Sequence, residues 1–204
     1  MTNAVAVIGA GGHARSLIGL LESRDYQILG VFDDSYQPGE EELIGGYPLC
    51  GTLQMAPGGA PLVLAVGDNE RRAELFSRFQ ASLYLQSLLH VQAFVAKGAR
   101  LGQVNQLFGN VFVNSQAVLG DNNIINTGAI IEHEAHIGSH NHISVGTILC
   151  GRVRVGDCCM LGAGTTVIDK VSICSHVIIG ANSTVIKDIV EPGTYVGSPA
   201  RRVR

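Results

Sequence analysis

Every sixth residue from Val95 to Val185 is aliphatic, without an insertion: Val95, Leu101, Leu107, Val113, Leu119, Ile125, Ile131, Ile137, Ile143, Leu149, Val155, Leu161, Val167, Ile173, Ile179 and Val185. A period of six is neither the 3.6 of an amphipathic helix nor the 2 of an alternating strand. It fits a short flat strand followed by a turn, repeated around a prism. Each aliphatic side chain then stacks on its equivalent one coil away, and the core becomes a column. The second hexad position holds Gly102, Gly120, Gly138, Gly156, Gly162 and Gly180, with Asn114 and Asn126 among the rest. Gly and Asn tolerate positive φ, which predicts the turn at that position. The fifth position is mostly small, as at Ala99, Ala117, Ala129, Ala135, Thr147, Thr165 and Ser183.

Composition agrees with such a core. Hydrophobic residues make up 46% of the 204, aromatics only 5%, and Trp is absent, so the interior is aliphatic; 26 glycines imply many tight turns. Charged residues are 15% and the net charge is -3, which gives no basic cluster for nucleic acid or an anionic membrane. No apolar run approaches the roughly 18 residues of a membrane span. The start, MTNAVAVIGAGGHA, has no basic n-region and does not read as a signal peptide. Five cysteines, with no CxxC pair and with Cys158 beside Cys159, predict a reduced, cytoplasmic protein.

Ahead of the repeat lies a different pattern. Residues 4–9 read as a buried strand and Ala14 to Glu22 as a helix, joined by Gly9-Ala10-Gly11-Gly12-His13-Ala14. Such a turn presents backbone N–H groups to an anion and lets a phosphate approach closely. A strand over Ile28 to Phe32 ends on Asp33-Asp34, and one over Leu62 to Val66 ends on Gly67-Asp68-Asn69, feeding a helix begun by Glu70. This is a small Rossmann-like βαβ unit with its polar residues at the carboxyl ends of the strands. GxGxxA with an acid about 24 residues on is also a dinucleotide fingerprint. Residues 70–94 are too few for the second half-domain that NAD requires, so a nucleotide-sugar diphosphate is the better reading. The alternative is a tight turn beside solvated carboxylates. The predicted division is a nucleotide-sugar domain over residues 1–88 and an all-β left-handed parallel β-helix, with a C-terminal tail, over residues 89–204.

His133, His136, His140 and His142 cluster, and Glu132 and Glu134 flank the first. Acyl transfer from a thioester needs a base for the accepting group, and His is the usual one near neutral pH. A neighbouring carboxylate raises its basicity and fixes its tautomer. The cluster is therefore read as a general base, as a metal site, or as solvated residues on an exposed face. Metal is disfavoured because successive hexads lie on different prism faces and scatter these histidines.

The motifs I-G-A-G-G-H, F-D-D, A-V-G-D-N, I-I-N-T, I-E-H-E, H-I-S-V-G and the terminal Y-V-G-S-P-A-R carry a resemblance over nearly the whole chain. It resembles the hexapeptide-repeat sugar acetyltransferases, of the sialic acid O-acetyltransferase and amino-sugar-nucleotide N-acetyltransferase (bacillosamine, perosamine) type. The resemblance implies a left-handed β-helix with three hexads per coil and acetyl-CoA as co-substrate, with no metal. It implies N-acetylation of a nucleotide-linked amino sugar, of 4-amino-4,6-dideoxy type, with His133 as base and Glu134 as its activating carboxylate. Gly11, Gly12, His13, Asp33, Asp34 and Gly67 are then the nucleotide-sugar contacts. His142, Gly151, Ala163 and Ala181 line the acetyl-CoA groove. The alternatives are O-acetylation of a sugar hydroxyl and a non-catalytic nucleotide-sugar-binding scaffold.

His133 sits mid-hexad and His142 closes the next hexad, too far around one prism to act together. Acidic and basic residues are sparse from Val113 to Val155. Both facts predict a homotrimer in which His133 of one chain faces the His142 side of its neighbour. Gly151 is expected in the neighbour's wall of that groove.

Overall fold

The computed structural model describes residues 3–39 and 41–203. It opens with β1 (Ala4–Ile8), α1 (Gly12–Glu22), β2 (Gln27–Phe32), β3 (Leu43–Ile44), β4 (Tyr47–Gly51), β5 (Leu62–Leu64) and α2 (Asn69–Phe79). These strands form a sheet in the order β3-β4-β2-β1-β5. Pairings β1–β2, β1–β5 and β2–β4 are parallel and β3–β4 is antiparallel. The sequence expectation of three strands is thus short by two: a β3–β4 hairpin extends the β2 edge.

From Leu88 onward the chain winds as a left-handed β-helix of two-residue strands. Up to Val185 each pairs in parallel with a strand eighteen residues away, as Phe112 with Ile130, Val118 with His136 and Ile124 with His142. Three hexads therefore complete one coil. The first face runs through Phe94–Val95, Phe112–Val113, Ile130–Ile131 and Ile148–Leu149. The second runs through Arg100–Leu101, Val118–Leu119, His136–Ile137 and Arg154–Val155. The third runs through Leu88–Leu89, Gln106–Leu107, Ile124–Ile125, His142–Ile143 and Met160–Leu161. The predicted column is the core: Leu107, Val113, Leu119, Ile125, Ile131, Ile137 and Ile143 form one buried cluster that continues to Val185.

The turns are not where the glycines suggested. Positive φ falls at the fourth hexad position, on residues as unlike as Val104, Gln116, Glu134, His140 and Arg152. The second position is glycine for a different reason. A Cβ on Gly120 would lie 2.8 Å from the carbonyl oxygen of Gly138, and one on Gly138 would lie 2.8 Å from that of Gly156. These glycines stack coil upon coil, and the close approach of backbones excludes a side chain.

The N-terminal domain sits on the third face. Outward residues of that face, Leu88 and Ile124, join Phe108, Val5, Leu17 and Leu21 in a single apolar cluster. His142 follows Ile124 on the same face one coil further. Among the described residues, no helix is long and apolar enough to cross a membrane.

Candidate active site

A cavity of about 450 Å³ opens at the carboxyl ends of β1, β2 and β5, and all six residues assigned to the nucleotide sugar line it: Gly11, Gly12, His13, Asp33, Asp34 and Gly67. Arg71, which sequence reasoning missed, lines it too and reaches Asp34 at 3.8 Å. Gly11 is the N-cap of α1 with no side-chain cap, so the positive end of that helix faces the cavity.

The two aspartates do different things. Asp33 accepts from the Ala10 amide (2.9 Å) and the Ser35 amide (2.9 Å), which ties the glycine-rich turn to the end of β2. Burial alone would push its carboxyl up; the bonds from Ser35 and Ala10 and the nearby Arg71 outweigh that and hold it below the usual range. Asp34 accepts only a long bond from the Leu53 amide (3.3 Å) and keeps an exposed carboxylate.

His13 spans the domain boundary. Gln106 Nε2 donates to the Leu64 carbonyl (2.6 Å), so its Oε1 must be the acceptor that meets His13 Nε2 at 2.8 Å. His13 is therefore protonated at Nε2, with its Nδ1 lone pair free. Burial lowers its pKa against that bond, and the Arg72 charge lowers it further.

His142 lies next to it, ring centres 6.1 Å apart. Its Nδ1 meets the carbonyl of Gly67 at 3.3 Å. A carbonyl only accepts, so Nδ1 carries the proton and Nε2 accepts from Asn126 Nδ2 at 3.4 Å. Burial, then the charge of Arg72, push the His142 pKa down to about 4, so the ring is neutral. His142 thus belongs to the N-terminal-domain side of the molecule.

His133 lies on the prism edge between the first and second faces, opposite the third face. Its Nδ1 meets Glu134 Oε2 at 3.0 Å. An ionised carboxylate only accepts, so Nδ1 holds the proton and Nε2 presents a lone pair. The bond from His133, against a small burial effect, and then Arg152 hold Glu134 below the usual carboxylate range. Arg152 Nη2 reaches the same Oε2 at 3.1 Å and extends to Asp169 at 3.8 Å. Glu132 Oε2 accepts from the His133 amide (3.2 Å) and from Asn114 Nδ2 (2.6 Å). The base candidate is thus braced from two coils.

Gly151 corrects the sequence expectation. It lies on His133's own edge, one coil on, where a Cβ would fall 2.7 Å from the imidazole Cε1 and 2.8 Å from Nε2. It is the wall against which His133 rests, not a residue facing it from a neighbour. Ala163 and Ala181 stack on a different edge, between the third and first faces, and both are exposed. One chain therefore brings His142 beside His13, a residue of the cavity wall, but leaves His133 and Gly151 on the far edge. Among the described residues no group of three or more His, Cys, Asp or Glu is arranged to hold a metal ion.

Known proteins share this architecture. A family model described as the PglD N-terminal domain matches residues 4–79. A variant of GDP-perosamine N-acetyl transferase from Caulobacter crescentus, solved with CoA and GDP-perosamine, is 30% identical, covering 98% of this chain and 96% of that one with a TM-score of 0.92. The chain belongs to the amino-sugar N-acetyltransferases of the hexapeptide family. It is thus an acyltransferase. Another member of the family, the acetyltransferase domain of PglB from Neisseria gonorrhoeae FA1090 solved with acetyl coenzyme A, is 29% identical over 100% of both chains, with a TM-score of 0.91. WeeI from Acinetobacter baumannii AYE, 19% identical, shares the fold over 98% of this chain and 99% of that chain with a TM-score of 0.88. No curated protein matches the chain by sequence.

Proposed function

We propose that this protein transfers the acetyl group of acetyl-CoA to the amino group of a nucleotide-linked amino sugar, of 4-amino-4,6-dideoxy type, with His133 as general base. The observation that carries the reading is the His133 tautomer: Glu134 takes the Nδ1 proton in a hydrogen bond and leaves Nε2 free to accept one. The amine nitrogen attacks the thioester carbonyl as its proton passes to Nε2. The tetrahedral oxyanion then collapses, and the thiolate leaves and is protonated, giving an amide and CoA. Residues 1–88 hold the nucleotide diphosphate at the glycine-rich turn, and residues 89–204 supply the acyl-transfer groove. Bound GDP-perosamine and CoA in the Caulobacter relative support both substrate classes.

The site is composite. The N-terminal domain, with its cavity, docks on the third face beside His142, and His133 lies on the opposite edge, so a second copy must bring its His133 edge to this chain's cavity. Three copies in closed cyclic symmetry give three identical grooves. Acetyl-CoA then lies between one chain's edge at His133 and Gly151 and its neighbour's edge at Ala163 and Ala181. Five free cysteines suit a reducing cytoplasm, where we place the reaction.

The test is incubation with acetyl-CoA and a panel of UDP-, GDP- and TDP-linked amino sugars, following free thiol. Thiol release with one of them, and a product stable to alkaline hydroxylamine, is the expected result. A hydroxylamine-labile ester would mean O-acetylation. Tight sugar-nucleotide binding without thiol release from any of them would leave a binding scaffold.

A further inference from the structure

Arg72, on the first turn of α2, is fully buried. Its guanidinium has seven acceptors, and none is a carboxylate. Four belong to the turn at residues 66–69, including the Gly67 carbonyl at 3.1 Å and Asn69 Oδ1 at 2.8 Å. Three are carbonyls of the prism: Asn122 (3.1 Å), His140 (3.0 Å) and Asn141 (3.0 Å). A buried cation facing only carbonyls is a costly way to hold two domains together, and apolar packing of similar volume would do so at less expense. What a planar five-donor fork adds is register. It locks one turn of the nucleotide domain against two successive coils.

That turn carries Gly67, and the Gly67 carbonyl is also the acceptor for His142 Nδ1. One oxygen, on a residue of the cavity wall, thus joins the buried arginine to the His142 imidazole. We propose that Arg72 is a positioning residue for acetyl transfer, fixing the Gly67 turn against the prism so that His142 is held in its Nδ1–H tautomer, with Nε2 the acceptor on the Asn126 side. Burial first, and then the charge of Arg72, also lower the pKa of that ring. Asn69 works in the same joint: its Oδ1 accepts from Arg72 and its Nδ2 donates to the Cys159 carbonyl at 2.9 Å.

The proposal rests on the acetyl-transfer reading for its kinetic consequence but not for its spectroscopic one. The experiment compares wild type with Arg72→Met, Arg72→Lys and Asn69→Ala by two measurements. The first is the ring ¹⁵N shifts of His142 in the ligand-free protein; the second is kcat beside the dissociation constants of CoA and of uridine and guanosine diphosphates. In wild type the Nδ1–H form is expected alone. In Arg72→Met the ring exchanges between tautomers and kcat drops by about 30-fold or more, while each dissociation constant moves by less than about 3-fold. Arg72→Lys keeps the charge without the fork and falls between. Should Arg72→Met fail to fold, Asn69→Ala shows the same pattern at about 5-fold in kcat. A folded Arg72→Met or Asn69→Ala protein with wild-type His142 shifts overturns the proposal, even if its melting temperature is lower. If wild type itself transfers no acetyl group, the functional reading fails, and the ¹⁵N shifts still decide the role of Arg72.

Discussion

The carbonyl of Gly67 and the Nδ1 of His142 meet at 3.3 Å, although 75 residues separate them in the chain. Through this contact a loop of the N-terminal domain dictates the protonation of a prism histidine. His133 is set in the same way by Glu134 at 3.0 Å. Both imidazoles carry their proton at Nδ1; Nε2 of His142 accepts from Asn126 at 3.4 Å, whereas Nε2 of His133 offers its lone pair. They differ in surroundings: His142 is half-buried against the N-terminal domain, and His133 rests on an open edge beside ionised groups.

His133→Ala should lower kcat by about 10²–10⁴, the usual worth of a positioned proton acceptor. The fold should survive, because His133 is outside the aliphatic column. Gly151→Ala tests the wall behind it. The added Cβ displaces the imidazole, so kcat should fall by about tenfold or more with little change in thermal stability. Turnover within twofold of wild type in either folded variant would remove His133 from the mechanism.

The two kinds of glycine separate in a stability series. Gly138→Ala forces a Cβ to 2.8 Å from the Gly156 carbonyl oxygen and should destabilise by roughly 1–3 kcal/mol, as overpacking does. Gly146 sits at φ +65° with open space around its missing Cβ. Asn accepts that conformation, so Gly146→Asn should cost less than about 0.5 kcal/mol. Chemical denaturation measures both, and equal costs would contradict the stacking argument.

Stability should depend on pH through the half-buried histidines. His142, pushed down to about 4 by burial and then by Arg72, binds a proton more weakly folded than unfolded. The unfolded chain therefore takes up more protons as the pH drops below about 6.5, and stability present above that value is lost on the way towards 4. The share of His142 is at most roughly 3 kcal/mol. His13 and His140 shift in the same direction. Melting temperatures between pH 7.5 and 4.5 should fall less steeply for His142→Gln than for wild type; parallel curves would mean that the ring is not held neutral.

The β-helix was legible because its signal is unbroken: an aliphatic residue at every sixth place leaves one architecture. Even its coil length is written in the chain, since Asn105, Asn123 and Asn141 stand eighteen apart, each accepting from the amide of the residue eighteen on. The turn position was misread because tertiary stacking, not local preference, decides it. Val104, Gln116 and Arg152 take positive φ against their own tendency, and the glycines answer to close backbone approach instead. The β3–β4 hairpin was invisible for a simpler reason: two residues of β3 and a Pro in β4 give no alternation. Arg72 was invisible because Arg71-Arg72 on a helix reads as a solvated face. Only the docking of the helix on the prism shows that one is exposed and the other enclosed.

Composite sites can be tested by mixing chains, and the geometry dictates which pair to mix. Two lesions on one edge, such as His133→Ala and Gly151→Trp, spoil the same half-site and cannot rescue each other. The informative partner lies in the cavity. Gly12→Trp fills it from a position where a side chain meets nothing within 4 Å, so the chain should still fold. Take His133→Ala and Gly12→Trp chains, each inactive alone, unfold them together and refold. In a cyclic trimer every mixed assembly, whatever its order, contains one groove with an intact His133 edge facing an intact cavity. Random assembly from equal amounts then recovers roughly a quarter of wild-type activity. Verified mixed trimers without activity would put each complete site in a single chain, and a monomer by light scattering would refute the assembly itself.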